Sequence, residues 1–321
     1  MIRLDHAYLA EAFYRMTGER LDANETAMFA RALEHIQVQT YDQLYPELKG
    51  IQLVPIIGGI DPGAEWFDWR GFQRMGAAKR ITNYADDAPR VDVLGSEERT
   101  KIEHYGASYA YSVQDLRRAS LASIGMPLDQ RRAMAAREIL ARKIDKIVAS
   151  GDPDVSIMTG GFLNYPNVPL VSPITGGWTT ATAAQILADL FWLERSIYVG
   201  SNGVEMPDTL VLPPSRLGII ATTPASSINP EVTILDVFLK KAMFIRNVED
   251  WYTLETANAA GSGPRAVAYR KDPGKLGSLV PLEFNQLPPE ARNYSFIVNC
   301  EARCGGSVFF YPLSASYMDG I

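Results

Sequence analysis

Residues 56–120 are the feature that most restricts the folds open to this chain. Glycines interrupt regular structure at residues 58–63, and the segment Trp66–Trp69 then alternates as a strand does. The leg from Arg70 to Arg80 is basic and contains no acid, whereas acidic residues dominate the return leg. A monomeric enzyme would rarely keep so long a flap with so little to bury it. The opposite charges therefore predict an arm that reaches across a neighbouring subunit.

The arm also supplies the candidate contact residues. We expect Trp66 and Trp69 on one face of a strand and Phe67 on the other. Packing in the core and packing in an interface are equally open readings for these side chains, because aromatic residues are enriched in contact patches. The predicted inter-subunit contacts are Trp66, Trp69, Arg70, Arg74, Lys79, Arg80, Asp86 and Asp87.

Composition excludes several classes of protein. The chain has 321 residues, of which 47% are apolar and 21% charged, as in ordinary globular domains. Its net charge of −6 argues against a protein whose main function is to bind phosphate backbones, so we expect any nucleic acid to be enclosed by the protein and not tightly bound to it. No apolar run is long enough to span a membrane, and Asp5 and Glu11 stand where a secretory signal would be basic and then apolar. We expect a chain that is soluble and cytoplasmic when made.

Two parts of the first half of the chain show helical periodicity. The first fifty residues predict either a small helical bundle packed on the core or a mobile arm. A long amphipathic helix is predicted from Leu128 to Ala149, and Gly151 should stop it. Glu138 and Arg142 lie one turn apart in the favourable order. The expected buried stripe is Ala136, Ile139, Leu140, Ile144, Ile147 and Val148.

The second half alternates short helices and strands, which predicts a mixed α+β domain. The segment 160–169 is too rich in Gly and Pro for a buried element. Residues 294–304 alternate as a strand, and Gly305-Gly306 predicts a tight turn into 307–311 and a terminal hairpin. The other predicted elements are a helix from 180 to about 200, a buried strand at 209–212, and helices at 215–221 and 233–240.

Signatures of catalysis are missing from the sequence. It has no phosphate-binding loop and no nucleophile elbow, and the glycine-rich segment 261–266 runs into a strand pattern instead of a helix. Cys300 and Cys304 would share one face of a strand about 13 Å apart, too far for a disulfide. The three histidines are not near a cysteine or one another. We therefore expect no catalytic residue, no cofactor and no metal.

The order of these parts resembles that of the tailed-phage major capsid proteins with the Hong Kong ninety-seven-type fold, a fold shared with encapsulin shells. The likeness extends over nearly the whole chain. It is carried by the segments Asp68–Gly71, Ala77–Ile81, Ala85–Val93, Tyr111–Arg117, Gly161–Asn164 and Tyr317–Ile321.

The resemblance implies an α+β capsid subunit divided into parts. It places an N-terminal arm at 1–55, an extended loop at 56–108 and a peripheral domain at 109–175 with its spine helix at 128–149. A mainly axial domain at 176–290 and closing strands of the peripheral and axial core at 291–321 complete the chain.

The resemblance also implies the function and the partners. Such subunits form hexamers and pentamers of an icosahedral shell around double-stranded DNA, without sequence-specific binding and without a membrane. Scaffold, portal and decoration proteins are expected partners, and the virion capsid is the expected location after assembly in the host cytoplasm. An encapsulin-type compartment is the alternative, and a mixed α+β hydrolase is the alternative of a different class.

Overall fold

A computed structural model gives the structure of most of this chain. Residues 1–45 of the predicted N-terminal arm, and with them its predicted helices, lie outside the described residues. No helix in the described part combines the length and apolarity needed to cross a membrane. The residues described are 46–80, 89–115, 117, 128–155, 160–174, 176–226 and 228–321.

The helices begin and end where the sequence supplies caps. Gln185 Oε1 accepts a hydrogen bond from the Thr182 amide at 2.8 Å, and Thr233 exchanges backbone-to-side-chain bonds with Asp236. Gly151 ends the longest helix with a φ of +74°, a conformation that favours glycine. The helices include α1 (Gly50–Leu53), α2 (Leu128–Ser150), α3 (Ala183–Gly200), α4 (Pro214–Thr222) and α5 (Ile234–Lys241).

The strands form four separate sheets in the described residues. They are β1 (Trp66–Met75), β2 (Asp92–Lys101), β3 (Glu103–Ser112), β4 (Leu170–Val171), β5 (Thr209–Leu212), β6 (Asn247–Asp250), β7 (Arg265–Tyr269), β8 (Leu276–Leu279), β9 (Leu282–Gln286), β10 (Glu290–Arg292), β11 (Ser295–Cys304), β12 (Gly306–Phe309) and β13 (Ala315–Asp319). Strand β1 pairs with β2, and β8 pairs with β12. Strand β11 lies between β10 and β3 and also pairs with β9, whereas the largest sheet has the order β4-β13-β7-β5-β6.

The five-stranded sheet separates two hydrophobic clusters. Side chains such as Val211 and Val267 point into a cluster that contains residues of α2. Their neighbours Leu210, Ala266 and Met318 point into a second cluster built by α3, α4 and α5. Burial on both faces explains why β5 and β7 read as continuous apolar runs in the sequence. The mixed α+β class predicted from the sequence is confirmed.

Helix α2 confirms the predicted long helix. Its face toward the core includes Leu140, Ile144 and Val148, all of them buried, and Arg142 forms an ion pair with Glu138 one turn away. The inclusion of Ile139 in the buried stripe was wrong, since its side chain is 58% exposed. The exposure of Ile139 follows from helix geometry. Consecutive residues point about 100° apart around the helix axis, so Ile139 points away from its buried neighbour Leu140.

The prediction that residues 160–169 are too rich in Gly and Pro to be buried was also wrong. Phe162, Leu163 and Tyr165 in this loop are at most 3% exposed. The loop can enter the core because its backbone groups find partners. The Phe162 and Leu163 amides donate to carbonyls of α2 at 2.8 Å, and the Tyr317 hydroxyl donates to the Phe162 carbonyl at 2.5 Å.

The predicted terminal hairpin does not form. Strand β11 pairs with β3 along its whole length, and β12 pairs with β8. Between them, Gly306 has a φ of +78° and the Gly305 amide donates to the Leu279 carbonyl at 2.8 Å. The two glycines therefore direct the chain into another sheet instead of reversing it. The predicted face of β11 is confirmed, since Cys300 and Cys304 are both buried and unpaired.

Candidate assembly surface

The predicted extended loop contains an antiparallel two-stranded ladder. Strands β1 and β2 pair in continuous register from Trp66 opposite Lys101 to Met75 opposite Asp92. Most side chains of both strands are exposed along their whole length. We call this ladder, with the described residues at its tip, the 66–101 hairpin.

The base of the hairpin is anchored through one of its faces. Phe67 and Trp69 point to the same side, with ring centroids 6.0 Å apart, and both rings contact Phe310. The Trp69 and Phe310 rings meet edge to face, a favourable arrangement for aromatic pairs. This aromatic contact fixes the hairpin to the segment that follows β12.

The opposite face of the hairpin carries ion pairs. Arg99 donates two hydrogen bonds to Asp68, at 2.7 and 2.9 Å, and its guanidinium lies 5.2 Å from the centre of the Trp66 ring. Hydrogen bonding by Arg99 lowers the pKa of the Asp68 carboxyl below its usual value. Arg70 and Glu97 approach to 3.7 Å across the same ladder.

This geometry corrects one sequence prediction. Trp66 and Trp69 do not share a face, because side chains alternate along a strand and residues three apart point to opposite sides. Trp69 instead shares its face with Phe67. Arg70 also pairs with Glu97 across the ladder, so opposite charges of the two legs interact within one chain, and their contact with a neighbouring subunit stays a prediction.

The end of the hairpin away from Phe310 is rich in exposed apolar side chains. Phe72 is 73% exposed, and Val91 is 72% exposed. Sequence reasoning selected the tryptophans and charged residues of this segment and missed these apolar ones. The signal was available, because Phe72 continues the alternation of Trp66, Asp68 and Arg70. The remaining exposed apolar side chains of this end are Met75, Val93 and Leu94.

The structure divides the eight predicted contact residues into groups. Trp66, Arg70 and Arg74 lie on the face with the ion pairs, and Trp69 lies on the anchored face. Lys79 and Arg80 follow β1 and are exposed. Asp86 and Asp87 lie outside the described residues. The role of all eight in contacts between subunits stays a prediction.

The buried ionisable groups elsewhere have structural partners. Asp189 accepts bonds from the Ile174 amide and the Trp178 indole, and Glu194 accepts from two backbone amides. Arg265 makes a two-pronged ion pair with Asp319. Within the described part of the chain, no group of three or more His, Cys, Asp and Glu side chains could hold a metal ion.

Solved structures of capsid and particle shells share this fold. A chain of the capsid of Myoviridae Phage XM1 aligns with a TM-score of 0.80 at 18% identity, covering 91% of this chain and 98% of that chain. A chain of Mycobacterium phage Bobi aligns with a TM-score of 0.61 at 12% identity, covering 94% of this chain and 99% of that chain. A chain of a virus-like particle from Pyrococcus furiosus aligns with a TM-score of 0.53 at 12% identity, covering 84% of this chain and 91% of that chain. A search of curated proteins found no similar sequence.

The fold of this chain is thus the one that these capsid and particle structures share. The family model described as major capsid protein matches residues 76–321 of the chain. The chain belongs to the major capsid protein family. The resemblance stated from the sequence and the predicted capsid fold are both confirmed.

Proposed function

We propose that this capsid protein assembles with copies of itself into an icosahedral shell of hexamers and pentamers that encloses double-stranded DNA. The shell is the virion capsid, built in the host cytoplasm with scaffold, portal and decoration proteins. The subunit performs no catalysis. Its division into N-terminal arm, extended loop, peripheral domain and axial domain belongs to the same proposal.

One observation carries this proposal: the hairpin exposes its apolar end. A two-stranded hairpin alone is marginally stable in water, and contiguous exposed apolar side chains mark interaction sites. Phe72 and Val93 share the face of the hairpin that carries the ion pairs, and both are exposed in their own subunit. A second subunit packed against that face would cover them. The charged residues beside them, such as Arg70 and Arg74, would then set the register of that contact.

The net charge of the chain supports enclosure of DNA without tight binding. An acidic protein of net charge −6 gains little from releasing the counterions of a phosphate backbone. The particles should therefore retain DNA because the shell is closed, and raising the salt concentration should not release it while the shell stays intact.

Charge reversal at the end of β1 tests the role of the hairpin. We expect the double variant Lys79→Glu/Arg80→Glu to fold as the parent does and to form far fewer shells in negative-stain electron microscopy. The conservative variant Lys79→Arg/Arg80→Lys keeps both charges and should assemble normally. Normal shells from the charge-reversed variant would contradict the proposed contact.

The encapsulin-type compartment is the second candidate, since the Pyrococcus furiosus particle shares the fold. The contents of particles purified from the natural source separate the two functions. Nuclease-protected double-stranded DNA supports the virion, whereas a packaged enzyme without DNA supports the compartment.

A further inference from the structure

An apolar cleft lies at the carboxyl end of α5. Its volume is about 580 Å³, and residues of α3 and of the segment after α5 line it. Phe191 and Trp192 are half-buried in it, and the Tyr198 and Phe244 rings pack with centroids 5.2 Å apart. Met243 at its edge is 70% exposed. No part of the hairpin lines this cleft, so the contact described above leaves it unexplained.

A projecting loop lies at the other end of α5. The Ala225 amide donates to the Val232 carbonyl at 2.9 Å, and the Ile234 amide donates to the Thr223 carbonyl at 3.1 Å, which closes the base of the loop. At its tip, Ile228 is 84% exposed. The loop therefore presents an aliphatic side chain on a backbone whose base is held in place.

The loop and the cleft have opposite charges. Glu231 is exposed beside the tip of the loop, at the amino end of α5. Arg195 and Lys241 line the cleft, and Lys240 is exposed next to it at the carboxyl end of the helix. The acid in the lining, Glu194, is buried and accepts hydrogen bonds from two backbone amides, so the exposed rim is basic. An acidic tip and a basic rim attract each other, and complementary charges fix the orientation of a contact.

The loop does not reach the cleft of its own subunit. Helix α5 has 8 residues and rises about 12 Å, and it holds the two sites at its opposite ends. When one of these surfaces binds the other surface of a second copy, the contact is head to tail. Repeated contacts of this kind close into a ring if the rotation between copies allows it.

We propose that the loop tip at Ile228 of one copy of this chain inserts into the α3–α5 cleft of the next copy. Ile228 packs against Trp192 and Met243 of that copy, and Glu231 pairs with Lys241 on its rim. The inference rests on the proposed self-assembly and names a contact distinct from that of the hairpin.

Cross-linking of added cysteines tests this contact. The two native cysteines are buried, and burial raises the pKa of the Cys304 thiol to about 12, so both should resist a maleimide reagent. We expect the variant Ile228→Cys/Met243→Cys, treated with a short bismaleimide, to give covalent products longer than two chains. Each single variant can give at most a pair. The reaction is run on the concentrated protein whether or not shells are present.

Exchange of charged residues in the Ile228→Cys/Met243→Cys variant adds a second readout. Glu231→Lys and Lys241→Glu should each lower the yield of long products by about threefold to tenfold, because each reversal replaces attraction at the rim with repulsion between like charges. The double exchange should restore the yield, because the attraction is reversed in sign but kept. All these positions are exposed, so circular dichroism should show the parental fold.

Two results would overturn the inference. One is the absence of products longer than two chains from the paired-cysteine variant. The other is a yield that the charge changes do not alter. Failure of the parent chain to form shells would instead count against the proposed function, and long products from such a chain would still support the contact.

Discussion

Two ion pairs with nearly the same geometry stand in contrasting surroundings. Arg99 binds Asp68 on the hairpin at 2.7 and 2.9 Å, and Arg265 binds Asp319 on the five-stranded sheet at 2.6 and 2.7 Å. The Arg99 side chain is 56% exposed, whereas that of Arg265 is 4% exposed. Arg265 also lies over the Tyr317 ring and donates to the Leu163 carbonyl. Distance alone therefore does not rank the two pairs, because solvent screens the first and not the second.

The largest expected effect comes from breaking the buried pair. Arg265→Met removes the arginine from the Asp319 carboxylate, which keeps its hydrogen bond from the Ala259 amide, and should lower the free energy of unfolding by about 3–5 kcal/mol. Arg99→Met on the hairpin is the matched control and should leave the denaturation midpoint almost unchanged. Urea denaturation followed by circular dichroism measures both. Equal losses from the two variants would show that burial does not determine the difference.

The next effect concerns the close approach of the 160–169 loop to α2. A Cβ on Gly161 would lie 2.3 Å from the Ser150 amide nitrogen, so Gly161→Ala must displace the backbone at a cost of about 1–3 kcal/mol. Gly218 lies on the exposed side of α4 with open space at its Cβ position, and Gly218→Ala should stabilise the helix by up to about 1 kcal/mol. Thermal melting should move in opposite directions for the two variants, and a shared direction would contradict this packing.

A smaller effect should depend on pH. Burial raises the pKa of Asp145, whose carboxylate accepts a hydrogen bond from the Gly50 amide at 2.6 Å. The folded chain therefore keeps a proton that the unfolded chain has lost, and this group lowers stability as pH rises above its ordinary pKa of about 3.9. Asp145→Asn keeps an acceptor for Gly50 and should be more stable than the parent at neutral pH. The difference should vanish below that ordinary pKa, and a constant difference across the range would exclude this titration as its cause.

The smallest effect on stability is expected at the exposed end of the hairpin. Phe72→Ser should change the free energy of unfolding by no more than about 0.5 kcal/mol, because the side chain buries little of its surface in the isolated subunit. The same variant should nevertheless strongly reduce shell formation, while Phe72→Leu should preserve it. Denaturation and electron microscopy on the same preparations separate the two quantities. A large loss of stability would mean that the subunit itself buries Phe72.

Local signals explain which parts of the fold could be predicted. Helix α2 was predictable because its apolar period and Gly151 lie within one segment, and β5 because a short apolar run, Leu210 to Leu212, precedes two prolines. The faces of β11 followed from alternation. The candidate site was predictable as a segment, since glycines and a strand pattern define the hairpin.

Strand pairing depended on residues far apart in the sequence and was not predictable. Strand β12 pairs with β8 instead of β11, and Gly305-Gly306 carries no information about that choice. The burial of the 160–169 loop depends on carbonyls of α2 and on the Tyr317 hydroxyl, which composition does not reveal. The anchor at Phe310 lies more than two hundred residues from Trp69 and was missed for the same reason.

The position of β13 has a consequence for biosynthesis. This strand, at residues 315–319, lies between β4 and β7, so β4 stays separate from the rest of the largest sheet until residues 315–319 have left the ribosome. Local elements such as the 66–101 hairpin can form much earlier, because their contacts close short loops. Nascent chains should therefore expose the apolar end of the hairpin before the largest sheet is complete. The rate of translation up to β13 sets how long this aggregation-prone state lasts.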